Sequence, residues 1–340
     1  MKAMLLKSVH DLTKIKQPLE YADFPDPLPQ KDELLIQVSA CGVCHTELDE
    51  IEGRLLPSQF PIILGHQIVG KVIQIPPGSS FKLGDRVGVA WIYSSCGECE
   101  YCQAGLENLC PSFRATGRDH NGGYAQYMVS KPSYTYPIPS TLSDSQAAPL
   151  LCAGAIGYRS LMLAQLKDHQ NLGLTGFGAS AHLVLQLAQY LYPNSKIFVL
   201  SRNPSERQFA LDLGAYWSGN FDETPPEKLH TVIDTTPVWL PVLSALENLS
   251  PGGRLVINAI RKETIDNTLL SSLDYPKHLW MEKEIKSVAN VCRSDVSNFL
   301  DLACRIPIRP EYQEYPLRAA NQALLELKNR KIRGAKVLII

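Results

Sequence analysis

Leu172–Leu191 reads L-G-L-T-G-F-G-A-S-A-H-L-V-L-Q-L-A-Q-Y-L, and this stretch decides the fold. It opens as a short apolar strand, turns at glycine, and continues as a helix with apolar residues at helical spacing. The turn, G-F-G-A-S-A at residues 176–181, matches G-x-G-x-x-G/A with Ala181 in the last place. Gly176 would make the tight turn. Gly178, with Ala179 and Ser180 after it, would let the backbone N–H groups of the helix start approach a pyrophosphate. Alone, such a glycine pattern also fits an ordinary strand–helix turn. Its position at the head of an alternating segment favours a dinucleotide site.

That alternation runs outward from the turn. K-I-F-V-L-S (196–201), T-V-I-D-T-T (231–236), R-L-V-I-N-A-I (254–260) and I-K-S-V-A-N (285–290) read as strands. Between them S-E-R-Q-F-A-L-D-L-G (205–214) and L-P-V-L-S-A-L-E-N-L (240–249) read as helices. Strand–helix alternation of this kind predicts an α/β doubly wound parallel sheet, a Rossmann domain spanning 154–291. The segments to either side are of another kind. E-L-L-I-Q-V-S-A (33–40), H-Q-I-V-G-K-V-I-Q-I (66–75) and G-Y-A-Q-Y-M-V-S (123–130) are short strand-like runs bounded by Gly and Pro clusters. A second, β-rich domain is therefore expected from 1–153 and 292–340, with the terminal A-K-V-L-I-I (335–340) pairing back into it.

Composition narrows the function classes. A net charge of −1 over 340 residues gives no electrostatic footprint for nucleic acid. No uninterrupted apolar run approaches a bilayer span, and the N-terminus becomes charged too early for a signal peptide. A cytoplasmic protein without a membrane or nucleic-acid partner is expected.

Four cysteines carry the strongest local signal: Cys96, Cys99, Cys102 and Cys110 in C-G-E-C-E-Y-C-x7-C, within a lobe at 94–112. Two interlocking C-x-x-C pairs can close a tetrahedron of thiolates around one structural zinc. Two disulfides or four unrelated buried thiols are the alternatives, and a reducing compartment disfavours the disulfides. Three further candidates lie far apart: Cys44 in C-G-V-C-H-T-E-L-D, His66 in L-G-H-Q and Cys152 in P-L-L-C-A-G. A lone Cys or His is more often core than ligand. Two thiolates with one imidazole are nevertheless a known open zinc shell, for which alcohol dehydrogenase is the standing example.

The chain resembles the zinc-dependent alcohol dehydrogenases of the medium-chain dehydrogenase/reductase superfamily along essentially its whole length. The resemblance rests on G-V-C-H-T (42–46), G-H-Q (65–67), G-D-R-V (84–87), the four-cysteine lobe, G-G-Y-A-Q-Y (122–127), L-L-C-A-G (150–154) and the glycine turn. It implies a GroES-like catalytic domain and interconversion of primary or secondary alcohols with aldehydes or ketones. It also implies two zinc ions per chain, NADP or NAD as cofactor, and a homodimer or homotetramer. Cys44, His66 and Cys152 would bind the catalytic zinc, and Thr46, which by itself also reads as a helix cap, would begin a proton relay. His45 and Arg333 match positions that touch the cofactor phosphates.

Cys41 would be a packing residue, and Cys292 and Cys304 core. Three departures stand out: Gln67 where Glu is usual after the histidine ligand, Asp49 in place of the relay's outer histidine, and Glu47 where Asp is usual. Glu47 would still orient the His66 ring.

Two enzyme relatives fit less well. Polyol dehydrogenases often have Glu in place of Cys152, and quinone reductases lack the ligands. A non-catalytic dinucleotide-binding protein on the same scaffold is the alternative from another class. Trp91 matches a position that narrows the substrate pocket, which suggests medium-sized apolar or aromatic substrates. At the second strand's end Ser201 stands where an NAD-specific site has an acid, and Arg202 follows it. The expectation is a preference for NADP, with use of both cofactors as the alternative.

Overall fold

A computed structural model of the chain describes residues 1–306, 308–329 and 333–340. The chain divides into two compact units, Met1–Ala155 with Val291–Ile340, and Ile156–Asn290.

In the second unit, strands Leu172–Thr175 and Ile197–Leu200 are buried at every position, as parallel strands covered on both faces must be. The sheet runs in the order Trp217–Gly219, Ile197–Leu200, Leu172–Thr175, Leu229–Asp234, Leu249–Ile257, Glu284–Ser287, and every pairing is parallel. The order reverses between Leu172–Thr175 and Leu229–Asp234. Ligands of such sheets bind at that switch point, outside the strands' carboxyl ends. The glycine turn leaves the sheet there and enters helix Ala181–Leu191. Gly176 adopts φ +76°, and a Cβ on it would lie 2.9 Å from Thr235 Oγ1. The next helix, Pro204–Asp212, starts with proline behind Asn203, whose side chain accepts the Ser205 N–H at 2.9 Å. Phe198, Val232, Leu246 and Leu255 fill one core between sheet and helices.

The first unit is β-rich, as its sequence suggests. Leu34–Val43 is central in a seven-stranded sheet, flanked by Ile68–Gln74 and by the terminal strand Ala335–Ile339, both antiparallel to it. The chain end does pair back into this unit. The strand expected over 123–130 is shorter, Tyr127–Ser130, because the backbone before it has other partners. Gly122, Gly123 and Tyr124 donate to the carbonyls of Ile63, Gly65 and Leu64 at 2.7, 3.0 and 3.0 Å. A Cβ on Gly122 would sit 2.0 Å from Gly65 O, so only glycine permits this docking. The loop that carries His66 is thereby fixed from beneath.

Helix Asp144–Ala164 has the length and mean hydropathy, 1.3, of a membrane span, but 61 % of that stretch is buried in the fold. It reads as a core helix.

Candidate active site

Three sequence-distant residues converge in the first unit. Cys44 is the N-cap of helix His45–Ile51. His66 follows Gly65, whose φ of +97° and contacts with Tyr124 and Cys41 leave no room for a side chain. Cys152 sits in a single wide, π-type turn, Leu150–Gly154, within the long helix, a distortion that recurs at functional sites. The ligand atoms of Cys44, His66 and Cys152 lie within 4.8 Å of one another, and His66 Nε2 is 3.2 Å from Cys152 Sγ. That is the spacing of donors around one tetrahedral zinc, where neighbouring thiolates stand about 3.8 Å apart.

Glu47 organises the set. Its Oε2 accepts the Cys44 backbone N–H at 2.7 Å, and its Oε1 lies 2.6 Å from His66 Nδ1. One fully buried carboxylate thus fixes both a ligand backbone and the imidazole, leaving Nε2 for a metal. Burial would lower the basicity of His66, but the Glu47 carboxylate and the Cys44 thiolate raise it well above its ordinary value. Contact with the Cys152 thiol holds the Cys44 thiol well below its ordinary value, against the effect of burial. Cys41, by contrast, is buried and pushed well up by desolvation, as fits a packing residue.

The rest of the helix is less ordinary. Thr46 is buried, with its hydroxyl 3.6 Å from Cys44 Sγ. Asp49 is clamped by Arg54, whose Nε and Nη2 approach its Oδ1 at 2.7 and 2.6 Å. Glu50, which the sequence reading passed over, is fully buried, and neither carboxyl oxygen has a hydrogen-bond partner among the described residues. Burial first, then the Glu47 charge, pushes its pKa well above its ordinary value. Gln67 is buried, its amide packed so closely over Gly42 that a Cβ there would lie 2.8 Å from it. Trp91 meets the His66 ring edge-on, with centroids 4.9 Å apart.

The lobe cysteines Cys96, Cys99, Cys102 and Cys110 also gather within 4.8 Å. The Cys96 sulfur is 3.8 Å from that of Cys102 and 3.5 Å from that of Cys110, far from the bonded ~2.0 Å of a disulfide. All nine cysteines are free thiols. Backbone N–H groups of Glu98 and Cys99 donate to Cys96 and bring its thiol down to about 6. The four-cysteine group fits a structural zinc and the Cys–His–Cys group a catalytic one. Of the two other cysteines, Cys292 is buried and donates to Asn108 Oδ1 at 2.9 Å. Cys304 corrects the sequence reading: it is exposed, on the outer face of helix Arg293–Arg305.

In the second unit Gly178 has open space above it, with nothing within 4 Å of where a Cβ would stand. That is the cradle a pyrophosphate needs. Ser180 immediately precedes helix Ala181–Leu191, in which Ala181 is buried. Ser201 is buried at the end of its strand, and Arg202 after it is exposed. One premise of the cofactor reading fails here, because a carboxylate does stand at this strand end. Glu206, from the first turn of the next helix, accepts the Ser201 hydroxyl at 2.6 Å and the Phe177 N–H at 3.3 Å. In the first unit His45 is exposed at the start of its helix, and Arg333 is exposed, 3.8 Å from Glu311.

Residues 30–140 match the family described as alcohol dehydrogenase GroES-like domain. A probable alcohol dehydrogenase, AdhA, of Mycobacterium tuberculosis is 43 % identical over 329 residues, covering 95 % of this chain and 93 % of its own. A cinnamyl alcohol dehydrogenase of Sorghum bicolor superposes with a TM-score of 0.86 at 25 % identity, over 99 % of this chain and 97 % of its own. A cobalt- and zinc-bound thermostable alcohol dehydrogenase of Pyrobaculum aerophilum shares the fold, with a TM-score of 0.87 at 23 % identity over 100 % and 99 % of the two chains. The chain belongs to the zinc-dependent alcohol dehydrogenases of the medium-chain dehydrogenase/reductase superfamily.

Proposed function

We propose that the chain interconverts medium-sized apolar or aromatic alcohols with their aldehydes or ketones, using the Cys44–His66–Cys152 centre of the first unit and a nicotinamide dinucleotide carried by the second. The observation that carries this reading is the donor set within 4.8 Å, whose imidazole is already oriented by Glu47. When bound, zinc supplies Lewis-acid polarisation of the alcohol oxygen and the nicotinamide accepts the hydride. Cys44, Cys152 and His66 Nε2 would hold the metal. The Thr46 hydroxyl takes the alcohol proton onward. Asp49 is engaged by Arg54 through its Oδ1, so the outward path runs through water. Trp91 closes the site on the imidazole side and favours flat or apolar substrates. Within the second unit Gly176, Gly178, Ala179, Ser180 and Ala181 serve the cofactor's phosphates. The lobe thiolates call for a reducing compartment, which supports a cytoplasmic enzyme.

The test is a spectrophotometric screen of primary, secondary and aromatic alcohols and aldehydes with each cofactor, alongside zinc analysis. Turnover with two zinc ions per chain is expected. One zinc and no turnover would favour a non-catalytic relative.

The role given to Glu47 makes its own prediction. Glu47→Ala should weaken retention of the catalytic zinc by about 10- to 100-fold, read as zinc lost during dialysis against a graded chelator. Unchanged retention would show that the ring of His66 is held without it.

An assembly prediction follows from the sheet edge. Strand Glu284–Ser287 ends the parallel sheet with every residue exposed, Ile285 included. The outer edge of a sheet presents backbone N–H and C=O groups that invite pairing, and a two-fold copy of the same strand is the simplest cover. Sedimentation at micromolar concentration should give a mass of two or four chains. A single-chain mass would refute the assignment.

A further inference from the structure

We infer that Glu206 is the specificity residue for the cofactor's adenosine ribose and that it makes this enzyme prefer NAD over NADP. The inference rests on the dinucleotide reading of the second unit and deepens it. Sheets of this type distinguish the cofactors at the end of the second strand, where an acid accepts the ribose hydroxyls. Here the strand Ile197–Leu200 is followed by Ser201, which carries no charge. The structure supplies the missing carboxylate from another place. Helix Pro204–Asp212 begins three residues after Ser201, and its first turn brings Glu206 back over the strand end.

Three contacts fix the arrangement. Glu206 Oε2 accepts from the Ser201 hydroxyl at 2.6 Å and from the backbone N–H of Phe177, inside the glycine turn, at 3.3 Å. The Ser201 oxygen in turn accepts the Asn203 N–H at 3.2 Å. The Ser201 hydrogen is thus committed to Glu206 and is not offered to a phosphate. Oε1 of Glu206 has no hydrogen bond among the described residues, so one acceptor remains at the site where ribose hydroxyls are read.

The nearby cations do not reverse this. Arg207 Nη1 is bound to the carbonyls of Ser201 and Arg202 at 2.8 and 3.1 Å, which ties it to the strand end. Arg202 is exposed and has a long, mobile side chain that must be ordered before it can clamp a phosphate. A fixed carboxylate beside Ser201 therefore opposes a 2′-phosphate more than a solvated guanidinium attracts it. Like charges a few ångströms apart at a half-buried site differ by several-fold to a hundredfold in binding.

Equilibrium binding tests this without turnover. The full-length zinc enzyme is titrated with NADH and NADPH by calorimetry, as the parent, Glu206→Gln and Arg202→Ala. The parent should bind NADH at least about tenfold more tightly than NADPH. Glu206→Gln keeps an acceptor for Ser201 but removes the charge. It should shrink the ratio at least about fivefold, mainly by tightening NADPH. Arg202→Ala should leave the preference for NADH in place. A parent ratio below about threefold, or a ratio unmoved in Glu206→Gln, would overturn the role of Glu206. Saturable binding of neither dinucleotide would instead overturn the dinucleotide reading, and this inference with it.

Discussion

Cys152→Ala should lower alcohol turnover by at least about 10³-fold while leaving a folded chain, because a metal's stabilisation of a developing oxyanion amounts to several kcal/mol. Cys152 is the cleanest of the three ligands to remove. Cys44 also caps helix His45–Ile51, and His66 is buried against Trp91 and Glu47, so their removal disturbs packing as well. His66→Ala and Cys44→Ala should be equally inactive, with a larger loss of stability. A buried cavity or a lost cap costs roughly 1–3 kcal/mol on its own. Zinc content should fall from two to one per chain, matching the two donor groups. Far-ultraviolet circular dichroism should be nearly unchanged. Near-normal kcat in Cys152→Ala, with one zinc lost, would remove the metal from the chemistry.

The parts of this site that were legible in the sequence are those where one residue type alone can do the job. A thiolate or imidazole cannot be replaced as a zinc donor by something similar, and glycine cannot be replaced at a φ of +76° under Thr235. Cys44, His66, Cys152 and Gly176 could therefore be named before any geometry was known, through the motifs that surround them. The alternation of short strand-like runs with helices likewise announced the parallel sheet, whose two central strands, Leu172–Thr175 and Ile197–Leu200, are buried throughout.

What could not be read depends on where a flexible side chain turns. Glu206 lies in a polar helix start, S-E-R-Q, that scans as a solvated first turn. Only the fold shows its carboxylate reaching back to Ser201. Glu50 belongs to T-E-L-D-E, which looks like an exposed acidic face, yet residues 46–51 are all buried. The short helix is enclosed on every side, so periodicity carries no information there. Asp49 stands where the relay's outer histidine is usual, and only the fold shows its clamp by Arg54. Cys304 misled in the opposite direction, since cysteine's strong tendency to be buried is only a tendency.

Chelation of the lobe zinc should act on stability before chemistry, the reverse of the outcome at Cys152. A closed four-thiolate site has no open position for substrate, and its binding free energy is folding free energy. Around this group the chain contributes little else: one helix of four residues, Glu100–Gln103, with none of them buried, and a three-residue turn, Glu107–Leu109. Without the metal these segments have almost no apolar core to hold them. Cys99→Ala should therefore lower the midpoint of thermal unfolding by ~10 °C or more, while freshly prepared enzyme keeps most of its kcat at low temperature.

Acid should have the same effect by another route. Each thiol must stay deprotonated to hold the ion, and Cys96 is already brought to about 6 by its backbone donors. Protons compete for the sulfurs more strongly as the pH falls, so zinc loss from the lobe should grow toward acid pH. The measurement is a scan of unfolding midpoint and zinc content together, in the parent and in Cys99→Ala. A variant as heat-stable as the parent, with two zinc ions retained, would show that the four cysteines do not close a site.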